Sequence, residues 1–170
     1  MTLEAMRGFM EADMRAVDEV IRARLGSGVP LIRQVAEYIV GSGGKRLRPQ
    51  VLLLSAGAFG YRGPHLHELA AIVEFIHTAT LLHDDVVHES SLRRGRATAN
   101  ALFGNASAVL VGDFVYSRAF QMLVQTDNLR ILQVLADATN VIAEGEVMQL
   151  MNCHNPDIGE SGYLEVVRCK

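Results

Sequence analysis

Leu81-Leu82-His83-Asp84-Asp85-Val86-Val87-His88-Glu89 closes a long apolar run, and Ser90-Ser91-Leu92-Arg93-Arg94-Gly95-Arg96 follows at once. The residues upstream, from about Leu66, repeat at helical spacing without strand alternation, which predicts one helix from Leu66 to Glu89. On that helix Asp84 and His88 are four apart and share a face, with Asp85 and Glu89 on the neighbouring stripe. Carboxylates beside apolar surroundings are costly unless a cation or solvent meets them. Their hard oxygens suit Mg²⁺, which also takes phosphate oxygens as ligands. Taken alone, the short acidic pattern favours a solvated helix end with ordinary surface acids, so its surroundings must decide.

Outward from this stretch the pattern stays helical. Leu3, Met6, Met10, Met14, Val17, Ile21 and Leu25 mark a first helix, stopped by Gly26-Ser27-Gly28. A second runs from Pro30 to about Val40, ahead of a Gly41-Ser42-Gly43-Gly44 loop. Pro49 sits in the first turn of a third, which ends near Phe59. Ser90 to Asn105 reads as a loop with a helical turn. Further helices are expected over Ala106–Gln125 and Leu129–Met151, with a last one from Glu160. The expected fold is all-α, a helical bundle.

Composition sets bounds on function. Of the 170 residues, 49% are hydrophobic and 21% charged, the balance of a chain with a real core. A net charge of -3 gives no general attraction for nucleic acid, so any basic site must be local. Two cysteines, Cys153 and Cys169, read as reduced thiols; Cys153-His154 lacks the second pair a zinc site needs. Glu4, Glu11 and Asp13 argue against a leader peptide, and no uncharged apolar run reaches the roughly 18 residues of a membrane span. A cytoplasmic protein without an integral membrane segment is expected.

Two local features surround the acids. Gly43-Gly44-Lys45-Arg46-Leu47-Arg48-Pro49 places Lys45 and Arg48 three apart at a helix start. Exposed helix N–H groups and two cations there make a cradle for a diphosphate, although the order is not that of a P-loop. His77 lies seven residues, two helical turns, before Asp84 and so on its face. A lone histidine on an apolar helix is commonly a core residue; between the basic loop and the acids, it is read as a phosphate contact.

These elements, in this order, resemble the trans-polyprenyl diphosphate synthases. The likeness runs through GGKRLRP, EFIHTATLLHDDVV, ESSLRRGRATAN, VLVGDFVYSRAFQ and NVIAEGEVMQL, and is nearest the bacterial long-chain, octaprenyl-type branch. The resemblance implies an isoprenoid-synthase-type bundle and a prenyltransferase. Such an enzyme condenses isopentenyl diphosphate with an allylic diphosphate, through a carbocation, to a long all-trans polyprenyl diphosphate for a quinone side chain. It implies Mg²⁺ ligands at Asp84 and Asp85, the acids that also serve catalysis. Lys45, Arg48, His77 and Arg94 would hold isopentenyl diphosphate, and Arg93 and Lys170 the allylic diphosphate. Bulky aromatics four and five positions before the acids block the product tunnel in short-chain members. Here Thr80 and Ala79 stand there, with Ile76 a turn below, so an open tunnel and a long product are expected. A homodimer through the apolar helices from Ala106 to Met151 is also implied.

Two departures temper this. His88 stands where the family has a third metal-binding Asp, and nitrogen is a poorer donor to Mg²⁺ than carboxylate oxygen. Residues 1–170 also correspond to the N-terminal portion of one synthase domain, ending before the second aspartate-rich motif. Impaired turnover is therefore expected. The alternative is a non-catalytic partner or regulatory subunit of a complete prenyl synthase.

Overall fold

The computed structural model describes residues 3–41 and 44–170; Ser42 and Gly43 of the expected glycine loop lie outside the described residues. Among these residues the chain forms α1 (Leu3–Arg24), α2 (Pro30–Gly41), α3 (Leu47–Ala58), α4 (Leu66–Val87), β1 (Leu92–Arg93), β2 (Arg96–Ala97), α5 (Ala99–Phe103), α6 (Asn105–Gln125), α7 (Leu129–Met151) and α8 (Glu160–Cys169). The helical class holds. The chain divides into two compact units, residues 1–126 and 127–170.

In the first unit α4 is the central helix and packs chiefly on α6, with α1 and α3 also against it. Both helices bury small apolar residues, Ala70, Ala71 and Ala79 on α4 and Ala108, Gly112 and Ala119 on α6, and Gly112 lies against His83 of α4. Small residues let two helix backbones approach closely, and Phe75, Ile72, Val115 and Met122 fill the remaining space. The α1 repeat is borne out at Met10, Val17, Ile21 and Leu25, which are buried, while Met14 is half-buried and the side chains of Leu3 and Met6 lie outside the described residues. Pro30 opens α2, and Pro49 lies buried in the first turn of α3, where its missing N–H costs nothing.

Two expectations need correction. The acidic helix ends at Val87, not Glu89. The Glu89 N–H donates to Val86 O at 3.2 Å and the Ser90 N–H to Asp85 O at 2.8 Å, with Glu89 at φ 49°. That is a Schellman ending, with glutamate in the left-handed position that glycine normally fills. The segment after it is not only loop and helical turn. Leu92 pairs with Ala97 and Arg93 with Arg96 in an antiparallel hairpin. Its two-residue turn, Arg94 (φ 53°) and Gly95 (φ 75°), has the positive φ angles of a type I′ connection.

In the second unit α7 packs with α8. The Asn128 side chain caps α7 by accepting from the Arg130 and Ile131 N–H groups at 3.1 and 3.2 Å. Gly145 sits against Cys169, where an added Cβ would be 2.9 Å from the cysteine Cβ.

Candidate diphosphate site

A cavity of about 100 Å³ opens in the first unit between α2, α4 and the hairpin. Its α4 wall follows the i+4 ridge His77–Leu81–Asp85, flanked by Glu74, Thr78 and Leu82. The hairpin contributes Arg93, Arg94 and Arg96; Gly44, Arg46 and Tyr38 close the remaining side. Four guanidiniums thus face two carboxylates, Glu74 and Asp85, an excess of two positive charges around a small space. Such a site favours a polyanion.

The pairs inside it are specific. Arg93 Nε donates to both Asp85 carboxylate oxygens at 3.1 Å, and Nη2 to Oδ1 at 2.7 Å. Asp85 is buried, 5% exposed, so this fork supplies the cation that burial demands. The hydrogen bonds that Arg93 donates to Asp85 hold its guanidinium above its ordinary value, and the Asp84 charge adds to this. Arg46 Nη1 meets buried Glu74 at 2.8 Å, and its Nε lies 3.6 Å from Asp18. Burial pushes the half-buried His77 imidazole below its ordinary value. The Arg48, Arg93 and Arg94 charges push the same way, and Glu74 opposes them. Burial and the cations around His77 thus oppose its protonation.

The structure brings His77, Asp85, Arg93 and Arg94 into one cavity, and Arg48 close enough for its charge to be felt at His77. Asp84 is half-buried and does not line the cavity, because the i+4 ridge selects Asp85 and turns its neighbour aside. Lys45 and Arg48 are exposed and lie outside the lining. The reason is helix register: α3 begins at Leu47, with Arg46 as left-handed N-cap (φ 48°), so it is Arg46 that reaches inward. The carbonyl of Lys45 accepts from Gln50 Nε2 at 2.9 Å. His88 is the exposed C-cap of α4. Lys170 belongs to the second unit, where its Nζ donates to Glu146 and Gln149 at 2.7 Å.

The three residues read as tunnel wall do not line this cavity. Ile76 and Ala79 are buried in the packing around α4, and Thr80 Oγ1 donates to His77 O at 2.8 Å. Thr78, Leu81 and Leu82 form the apolar side instead. Sequence reasoning gave no role to Arg46, Glu74 or Tyr38, although Arg46 stands inside the quoted basic motif. Its signal was its position directly before the helix start.

Among the described residues no three His, Cys, Asp or Glu side chains converge on a possible metal position. Asp85 is engaged by Arg93, and His88 offers a nitrogen from an exposed helix end. As folded, Asp84, Asp85 and His88 do not fit a dedicated Mg²⁺ site.

Known proteins resemble this chain in sequence and fold. Residues 29–170 match the family model described as polyprenyl synthetase. The octaprenyl diphosphate synthase of Escherichia coli is 55% identical over the whole chain, which spans 53% of that protein. The crystal structure of a decaprenyl diphosphate synthase from Rhodobacter capsulatus is 50% identical. It superposes with a TM-score of 0.94 over 98% of this chain and 52% of its own. A polyprenyl synthase from Caulobacter crescentus, crystallised with calcium and isoprenyl diphosphate, is 46% identical. Its TM-score is 0.95 over 99% of this chain and 52% of its own. The chain spans about half the length of the curated relatives it matches. No helix among the described residues is long and apolar enough to cross a membrane.

Proposed function

The chain belongs to the polyprenyl synthetase family, and on that footing we propose that it serves trans-prenyl chain elongation. An allylic diphosphate and isopentenyl diphosphate condense to a long all-trans polyprenyl diphosphate, the precursor of a quinone side chain. The observation that carries this reading is the single cavity in which His77, Arg46, Arg93 and Arg94 surround an apolar wall. The ligands of the Caulobacter crescentus protein support the same ligand class here, since its fold matches nearly all of this chain.

The chemistry asks two things of these residues. The allylic C–O bond breaks and its electron pair leaves on the diphosphate. Fixed guanidiniums in a small, poorly solvated space stabilise that charge. The carbocation is then attacked by the double bond of isopentenyl diphosphate, a C–C bond forms, and proton loss restores an alkene. Thr78, Leu81 and Leu82 limit the water that would otherwise trap the cation. His77 offers a hydrogen bond, and its burial and the cations around it disfavour a further charge there. Mg²⁺ enters the proposal as an ion brought with the diphosphate, for one or two carboxylates plus substrate phosphates are a set it favours. Lys45, Arg48 and Lys170 remain proposed diphosphate contacts, and Ile76, Ala79 and Thr80 proposed determinants of product length. A cytoplasmic homodimer is part of the same proposal.

Calorimetry with inorganic pyrophosphate tests the site directly. Arg94→Ala is expected to weaken binding about tenfold or more, the loss of one charge-assisted contact. Equal affinity of the variant and the natural protein would sink the reading. Product analysis with labelled isopentenyl diphosphate then tests turnover. His88, standing where the family has a third metal-binding Asp, favours one second reading, a partner subunit that binds diphosphate without turning it over. It predicts pyrophosphate binding, no product, and altered rates when added to a complete synthase.

A further inference from the structure

Resting on the diphosphate reading above, we propose that Tyr38 is a positioning residue that sets the hairpin arginines against the substrate. The problem it solves is mechanical. The hairpin has two residue pairs, and so short a ladder has little stability of its own. Leu92, Arg93, Arg94 and Arg96 are exposed, so burial does not hold it in place. Yet it must keep the Arg93 and Arg94 guanidiniums in register with a cavity on α4.

Tyr38, from α2, grips the hairpin in several ways. Its hydroxyl donates to Ala97 O at 2.5 Å. The Arg96 guanidinium lies 5.1 Å over its ring, a cation–π contact. Arg96 Nη1 donates onward to Gly41 O at 3.2 Å, at the end of the same helix. The ring also meets Phe103 edge to face at 5.9 Å, which ties α2 to α5 just beyond the hairpin. Ala97 is the ladder partner of Leu92, and the next pair inward is Arg93 with Arg96. A shift at Ala97 therefore passes directly to Arg93 and to the turn residue Arg94. On this view the three arginines divide the work. Arg93 and Arg94 face the ligand, while Arg96 is the strap by which Tyr38 holds them.

The test is Tyr38→Phe, which keeps the ring and its contacts and removes only the hydroxyl donor. The Kd for inorganic pyrophosphate should rise about two- to tenfold, the worth of one hydrogen bond expressed through positioning. In an Arg94→Ala background the same change should alter Kd less than it does in the natural protein, because one of the two arginines being positioned is gone. His67→Ala serves as a stability control: it breaks the 2.9 Å contact with Asp13 that ties α4 to α1, and should lower stability while leaving Kd unchanged. An unaltered Kd in Tyr38→Phe overturns the proposal. So do penalties for Tyr38→Phe and Arg94→Ala that multiply in full, since Tyr38 would then act independently of Arg94. Failure of the natural protein to bind pyrophosphate removes the diphosphate site itself, and Tyr38's role with it. Binding by the natural protein together with an unaffected Tyr38→Phe removes only the role of Tyr38.

Discussion

Cutting the Arg93–Asp85 pair from its two ends should give unequal losses of stability. The Asp85 side chain is 7% exposed and that of Arg93 40% exposed, so the partners differ sharply in access to water. Arg93→Ala removes three donated hydrogen bonds and leaves a buried carboxylate without its cation. Breaking a buried pair in this way costs roughly 3–5 kcal/mol. The lower end applies, because water can follow the truncated arginine inward. Asp85→Asn leaves a guanidinium that can turn to solvent, and its cost should be about 1 kcal/mol, that of an ordinary hydrogen bond. The difference, about 2 kcal/mol, is roughly 30-fold in the unfolding constant. Urea denaturation of the two variants measures it. With a slope of about 2 kcal/mol per molar, Arg93→Ala should lower the midpoint by about 1.5 M and Asp85→Asn by about 0.5 M. Equal shifts, or a larger one for Asp85→Asn, would show that Asp85 is solvated and the pair is not what stabilises this corner.

Four further outcomes are expected. Gly112→Ala places a methyl 2.7 Å from His83 Cδ2, so His83 must leave Val109 O and Asp113. A loss of about 1–3 kcal/mol by thermal or urea unfolding checks it. His77 is held below its ordinary 6.5, so the unfolded chain takes its proton first; stability is full above that value and erodes as pH falls towards the lower folded one. His77→Gln should flatten that slope between about pH 7.5 and 5.5 in denaturant midpoints. His88→Asp should increase Mg²⁺-dependent turnover while costing about 0.3–1 kcal/mol, since it sets an acid at the C-terminus of α4; an unchanged Mg²⁺ dependence would count against the metal reading. Arg94→Gly should relieve roughly 1 kcal/mol of left-handed strain while weakening pyrophosphate binding, and a variant that both loses stability and keeps its affinity refutes the strained-turn argument.

The helices were legible because their caps and apolar repeats agree. The expected span Leu129–Met151 matches α7 to the residue, with Asn128 supplying a recognisable cap. The end of α4 was missed because the terminator is Glu89 in a conformation that sequence associates with glycine. The hairpin escaped notice for two reasons: strands of two residues carry no alternation, and its turn is Arg-Gly where Asn-Gly would have announced it. In the site, the acidic pair and the arginine cluster could be read as neighbours. The bond between Asp85 and Arg93 could not, since it spans a Schellman ending and half a hairpin. The choice of Arg46 over Lys45 and Arg48 depends on Arg46 being the left-handed residue just before Leu47, a position that a proline in the first turn does not specify. Ala79 and Thr80 illustrate the same limit, for small residues serve helix packing and open channels alike.

The backbone itself marks this corner as more than packing. Within the first unit, the non-glycine residues at positive φ are Arg46, Glu89 and Arg94 among those described, and each flanks the cavity or the end of the acidic helix. A left-handed residue with a side chain costs about 1 kcal/mol or more, and glycines at Gly44 and Gly95 stand one or two positions away. Shifting glycine by so little would relieve the strain at Arg46 and Arg94 and delete both guanidiniums from the lining. Arg46 is matched by Glu74, which accounts for its place in the fold. Arg94 stands at the tip of a two-residue turn, beside Gly44, where an added Cβ would lie 3.6 Å from its Nη1. A turn that needs glycine or asparagine but carries arginine gives up stability for a cation at that point. On the proposed reading, the strain at Arg94 is kept for the sake of a diphosphate, and the charge excess around the cavity suits such a polyanion.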